Sequence, residues 1–327
     1  MLFAKKNTVA LSLGGGGARG YAHIGVLKEL EKRNLEVVAL AGTSMGAVIG
    51  ALYAAGKLAE FEKWARKLTK LDVVGLMDFS IGKAGAIRAE RIMNVVDEML
   101  EGINIEDLPI PFTAVATDLL ENKEVHFTSG PATLALRASV AIPGMITPVV
   151  IDKKLLADGG MVNPVPLAPL KNARARHVIA VDLAQGRKAN PFEKELSEHF
   201  LKRAVTVTIE SSKTKVVQIA KSDKARKLAK QLGVDTRIQE IVKPVEETPL
   251  QRIINDVPKV IKSADVLSLS VQTMQQQLTQ VEFKNYRPDV VIGIPMDACG
   301  TLEFYMANQM IELGELMAAK ELNLRGL

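Results

Sequence analysis

Residues 8–13, TVALSL, form a short and almost wholly apolar run, and Val37 to Ala41 form a second. Runs of this length bounded by loop residues read as buried strands. Between them HIGVLKELEK places Ile24, Val26, Leu27 and Leu30 at helical spacing, and after the second run MGAVIGALYAAG reads as a small-residue helix. The order is strand, glycine loop, helix, strand, turn, helix. Such alternation predicts an α/β layered fold, with a mostly parallel central sheet and helices on its faces.

Further along, KLAEFEKWARKL and RAERIMNVVDEML have the pattern of amphipathic helices, and they flank a glycine-punctuated loop from Ser80 to Ala86. FTAVATDL and KEVHFTS read as strands, VVIDKKLLADGG as a hairpin turning at Asp152-Lys153-Lys154, and RHVIAVDL as another buried strand. After Gly186 the texture becomes polar, basic and helical until about Val281, including the glutamine-rich SVQTMQQQLTQ. PDVVIGIP then returns as a strand and TLEFYMANQMIELGELMAAK as a closing helix. The pattern predicts a core over 1–185, a helical insertion or lid over 186–281, and a strand and helix over 282–327 that rejoin the core.

Composition narrows the picture. With 327 residues, 47% hydrophobic and 24% charged, the chain has the make-up of a globular protein with a sizeable core. The lone Cys299 excludes an intramolecular disulfide and a cysteine-based zinc cluster, and it suits a reducing compartment. The apolar run after Lys5 and Lys6 breaks at Gly14, too soon for a signal-peptide core, and no stretch approaches the roughly 18 apolar residues of a membrane span. The expected location is therefore cytoplasmic, with any membrane contact peripheral.

Charge is concentrated rather than spread. The net charge is +5, yet Gly186 to Leu232 alone holds twelve Lys/Arg against five acids. A Lys/Arg-rich helical face suits peripheral contact with anionic lipid, and it is equally what a solvated helical surface looks like. The near absence of interleaved aromatic residues argues against nucleic acid.

Two glycine-rich stretches carry candidate chemistry. SLGGGGARGYAHIG satisfies G-x-G-x-x-G at Gly15, Gly17 and Gly20, but a dinucleotide site wants an acid at the end of the second strand, where Ala41-Gly42-Thr43 stands. No Lys-Ser/Thr pair of a phosphate loop follows either. The alternative use of adjacent glycines ahead of a helix is an oxyanion hole, in which main-chain amides converge on developing negative charge. Gly42-Thr43-Ser44-Met45-Gly46 fits G-x-S-x-G, the turn that lifts a nucleophilic serine above a sheet edge. Such a serine needs a base. His23 lies in a helix, His126 and His177 in strands and His199 in the basic stretch, so each reads as structural. Asp158, in LLADGGMVNPVP, is the better candidate, although carboxylates in such loops commonly cap turns.

Together, GGGGARG, GTSMG and DGG, in this order and context, resemble the patatin-like phospholipase family, as do ASVAIPGMITPV and ADGGMVNPVP. The resemblance runs from about Thr8 to Ala184. It implies a patatin-like layered fold and a lipid acyl hydrolase that uses a serine–aspartate dyad without histidine, metal or cofactor. On this resemblance Ser44 is the nucleophile and Asp158 the base, within an elbow formed by Gly42, Met45 and Gly46. The amides around Gly15, Gly16 and Gly17, with Arg19 nearby, form the oxyanion hole. The implied partner is a phospholipid or other lipid ester, with peripheral contact to anionic membrane. Two other readings stay open: a soluble carboxylesterase or lysophospholipase, and a lipid-binding or regulatory module whose hydrolase site is vestigial.

Overall fold

The structure is a computed structural model that describes residues 7–77, 85–186 and 261–327. Most of the Ser80–Ala86 loop, His199 and the basic stretch with the membrane contact expected of it lie outside the described residues. The chain divides into two compact units, residues 1–188 with 268–327, and residues 189–267. Residues 268–281, which the sequence pattern groups with the insertion, thus belong to the core unit.

The first half of the chain forms β1 (Thr8–Leu13), α1 (Ala22–Lys32), β2 (Glu36–Thr43), α2 (Met45–Ala54), α3 (Leu58–Ala65) and α4 (Lys70–Leu76). Then come β3 (Gly85–Ile87), α5 (Glu90–Leu100), β4 (Phe112–Asp118), β5 (Lys123–Phe127), α6 (Ala132–Ser139) and β6 (Gly144–Ile146). The rest is β7 (Val149–Ile151), β8 (Lys154–Asp158), β9 (His177–Gln185), α7 (Ser263–Tyr286), β10 (Val290–Pro295) and α8 (Ala307–Leu324). The sheet order is β10-β9-β1-β2-β4-β8-β7, with β5 paired to β4. The strands from β10 to β4 are parallel, and β5, β7 and β8 supply the antiparallel edge.

The near-continuous apolar character of β1 follows from its place, since it pairs with β2 and β9 and its Val9, Ala10, Leu11 and Leu13 are fully buried. The β7–β8 hairpin turns where expected. Asp152 and Lys153 both take positive φ, 48° and 64°, as a two-residue hairpin turn requires. Two short helices depart from the sequence pattern. KLAEFEKWARKL forms one helix only as far as Ala65, and α4 starts afresh behind a capping box in which Thr69 and Asp72 satisfy each other's amides. The eight-residue α6 is too short to announce itself by periodicity.

Register on β4 explains where the site falls. Strand β5 occupies one edge of β4 over Ala114–Asp118, so β2 and β8 share the other. Strand β2 runs along it until Thr43 stands opposite Val115, and β8 comes from the opposite direction until Asp158 stands opposite Ala116. The two strand ends therefore meet at neighbouring positions.

Candidate active site

The chain leaves β2 at Ser44 through a strained conformation, φ 55° and ψ −126°, and enters α2 at once. L-residues rarely occupy this region, and such strain persists only where the surroundings impose it. The flanking glycines make it sterically feasible. A Cβ on Gly42 would sit 2.5 Å from the Gly46 carbonyl oxygen, and one on Gly46 would sit 2.1 Å from the Leu13 carbonyl oxygen. Both approaches are closer than any side chain allows, so the turn requires glycine at both positions.

Ser44 Oγ donates to Asp158 Oδ2 at 2.5 Å. The other carboxylate oxygen, Oδ1, accepts the Gly160 amide at 2.8 Å. The carboxylate thus caps its own turn and meets the serine, one task per oxygen. Its main chain is fixed as well, with the amide on the Ala141 carbonyl at 2.9 Å and the carbonyl receiving Thr117 Oγ1 at 2.9 Å. Burial pushes the Asp158 carboxyl up to about 6, against smaller opposing effects of the Ser44 and Gly160 hydrogen bonds. Desolvation disfavours the ionised form, which makes this a stronger base than an exposed aspartate.

Sequence reasoning does not identify Ser139, at the end of α6. Its hydroxyl donates to the Val115 carbonyl at 2.6 Å and accepts the Ser44 amide at 2.8 Å. Where β2 turns away from β4, this side chain takes the place of the ladder bond. The only sequence signal was its position in ASVAIPGMITPV.

The glycine loop lies directly against the serine: a Cβ on Gly15 would stand 3.3 Å from Ser44 Cβ. Its amides are not equivalent. Gly14 donates to the Val181 carbonyl, Gly15 to the Pro164 carbonyl and Ala18 to the Thr301 carbonyl. Gly16 and Gly17 donate to no acceptor among the described residues, so the expected group of donors narrows to these two. Arg19 stands beside this loop. Its buried guanidinium donates to the carbonyls of Leu183 (3.0 Å), Met296 (3.2 Å) and Cys299 (2.9 Å), tying the loop to the strand ends beside it.

His23 contributes from beneath. It is fully buried, and its Nε2–H donates to the Gly14 carbonyl at 2.8 Å. Burial holds the imidazole down to about 4, so it is neutral and serves to hold the loop. His126 is bonded to Glu124 at 2.8 Å, and His177 pairs with Val9 at the opposite end of the parallel strands from Ser44. Among the described residues, no group of three or more His, Cys, Asp or Glu side chains gathers to hold a metal ion.

An apolar pocket, about 840 Å³ with its open solvent counted, lies beside the elbow, where Met45 lines it. Gly17 of the glycine loop and Met45 of the elbow line it, together with Val48, Phe61, Trp64 and Met93.

Fold and site together define a layered α/β protein built around a buried serine–carboxylate pair. Residues 11–171 match the patatin-like phospholipase family. An uncharacterized NTE family protein of Mycobacterium bovis is 40% identical over 331 residues, covering 96% of this chain and 91% of that protein. Lysophospholipase NTE1 of Mycosarcoma maydis is 34% identical over 200 residues, covering 56% of this chain and 10% of that much longer protein. VipD from Legionella pneumophila shares the fold, with a TM-score of 0.51 at 13% identity over 98% of this chain and 67% of that one. The chain belongs to the patatin-like phospholipase family. Membership places it among the hydrolases of lipid esters. Among the described residues no helix is long and apolar enough to cross a membrane.

Proposed function

We propose that the protein is a lipid acyl hydrolase of the phospholipase A type, working through a Ser44–Asp158 dyad and an acyl-enzyme. The observation that carries this reading is the 2.5 Å hydrogen bond from Ser44 Oγ to a buried carboxylate, on an elbow beside an apolar pocket. Ser44 Oγ attacks the ester carbonyl as its proton passes to Asp158 Oδ2. The Gly16 and Gly17 amides receive the oxyanion, and Gly15 and Arg19 keep that loop in place through their carbonyl partners. Collapse of the tetrahedral species expels the alcohol, which takes up the proton held by Asp158. Water then attacks the acyl-serine, with Asp158 again accepting a proton, and that proton passes to Ser44 Oγ as the fatty acid leaves. Main-chain donors aimed at an oxyanion are worth about 3 kcal/mol each to the transition state.

The apolar pocket favours a long acyl chain over a short one, which distinguishes a lipid hydrolase from a carboxylesterase of small soluble esters. A lysophospholipase reading draws on the name of the Mycosarcoma maydis relative. Peripheral contact through the basic stretch accompanies the proposal, and raised salt should weaken it. The test is fatty-acid release by wild type and Ser44→Ala from three substrates: diacyl phosphatidylglycerol vesicles, a monoacyl lysophospholipid and a short-chain ester. Release from vesicles by wild type alone supports the proposal. Release from the monoacyl lipid alone makes the protein a lysophospholipase, and equal rates for both proteins defeat the dyad.

A further inference from the structure

Helix α7 meets the core through polar side chains that reach main-chain groups. Gln275 Nε2 donates to the Gly160 carbonyl at 3.0 Å, and Gln276 Nε2 donates to the Ala184 carbonyl at 3.0 Å. Further along the helix, Glu282 Oε1 accepts the amides of Leu167 and Ala168 at 3.0 and 2.9 Å. One of these contacts concerns the site directly, because Gly160 is the residue whose amide holds Asp158 Oδ1.

Gly160 is gripped from both sides, its N–H by the carboxylate and its C=O by Gln275. A Cβ placed on it would stand 3.0 Å from both Asp158 Oδ1 and Gln275 Nε2, so base, glycine and amide crowd one small space. The carbonyl of the preceding Gly159 is already engaged by the amides of Val162 and Asn163. Glycine has the softest backbone of any residue, so the direction of the Gly160 amide depends on what holds its neighbours.

We infer that Gln275 is a positioning residue for the proposed reaction: by fixing the Gly160 carbonyl it keeps the Gly160 amide on Asp158 Oδ1 and so aims Oδ2 at Ser44. The inference rests on the dyad reading and adds to it a residue of helix α7. Without Gln275 the carboxylate gains freedom to turn about its own axis, and reactive geometries of this kind are sensitive to shifts well under an ångström. It also loses part of a hydrogen bond that favours its charged form, which raises the pH at which it takes up a proton. Around it, Ser44 faces it from the elbow, Thr117 from β4 and Ala141 from the main chain after α6. Of the charged groups on the packed elements, Glu124 with its partner His126 on β5 and Glu282 on α7 meet at Asn163 rather than at Asp158.

The experiment compares full-length wild type, Gln275→Met, Gln276→Met and Ser44→Ala in fatty-acid release from phosphatidylglycerol vesicles, with kcat and KM measured across pH. Gln275→Met is expected to lower kcat about tenfold with KM within about twofold, and to move the acid limb upward by about half a unit. Gln276→Met, which removes a bond of the same kind from the same helix, is expected to match wild type in all three. An unchanged Gln275→Met, or equal losses in both glutamine variants, overturns the inference, since the contact then only docks the helix. If wild type releases no more fatty acid than Ser44→Ala, the dyad reading itself has failed and takes the inference with it. Thermal unfolding checks each fold. Should Gln275→Met not fold, Gln275→Glu keeps the size and cannot donate once ionised, and the same loss of kcat is expected.

Discussion

Ser44 Oγ and Asp158 Oδ2 stand 2.5 Å apart because β2 and β8 end on neighbouring residues of one strand, Val115 and Ala116 of β4. The pair is 114 residues apart in sequence, and sheet register alone brings it together. The same point on β4 draws in Ser139, whose hydroxyl fills the gap that β2 leaves when it turns.

The buried carboxylate makes function and stability oppose each other. Burial raises the Asp158 carboxyl from its ordinary value of 3.8 to about 6. A carboxyl raised by folding stabilises the fold while protonated, below the unfolded value, and that contribution is lost as pH rises through the folded value. At pH ~8 the ionised group therefore burdens the fold, and an amide does not carry that burden. Asp158→Asn is expected to be nearly inactive yet to melt a few degrees above wild type at pH ~8, with the gap closing toward pH ~4. Thermal unfolding at the two pH values checks this.

On the proposed dyad mechanism the same shift sets the acid limb of the reaction. In wild type kcat/KM should fall below about pH 6 as Asp158 takes up the proton that blocks it as a base. His23, held down to about 4, is expected to leave this limb in place, so His23→Gln should lower stability without moving it. A pH–rate profile of wild type and His23→Gln checks both statements.

Ser139→Ala removes the acceptor of the Ser44 amide and the donor to the Val115 carbonyl together. Leaving such buried groups unpaired costs about 1–3 kcal/mol. It should also lower kcat roughly tenfold or more, because the strained elbow loses a restraint. Ser139→Thr retains the hydroxyl and is expected to recover part of both, as urea unfolding and steady-state kinetics would record.

How legible the site was in sequence depends on what each residue does. GTSMG was readable because a turn this tight admits only glycine at Gly42 and Gly46, which leaves a spacing. Asp158 became specific only through the resemblance, since an isolated Asp-Gly-Gly also describes an ordinary turn and β-register is not written in local pattern. Ser139 and Gln275 were not legible. Each acts through single hydrogen bonds to main-chain atoms of distant elements, and a serine in α6 or one glutamine within SVQTMQQQLTQ leaves no periodic trace. For the fold, β1, β2 and the β7–β8 hairpin followed the pattern, whereas α4 and α6 span only seven and eight residues, too few for periodicity to resolve.

The pocket predicts chain-length selectivity. Val48, on α2 one turn beyond the serine, lines it near the serine end. Val48→Phe should reduce kcat/KM for long-acyl esters about tenfold while changing a short-chain ester less than about twofold, since only the long chain needs the filled space. Hydrolysis of an ester series of increasing acyl length checks this.

On the proposed mechanism the ester is opened through a covalent bond to Ser44. The most direct test is acid quench during turnover of a long-chain lipid ester, followed by mass spectrometry of the intact protein and its peptides. An adduct of one acyl chain is expected on the peptide carrying Ser44, absent in Ser44→Ala and greatly reduced in Asp158→Asn. An adduct on another residue, or wild-type turnover by Ser44→Ala, would contradict it.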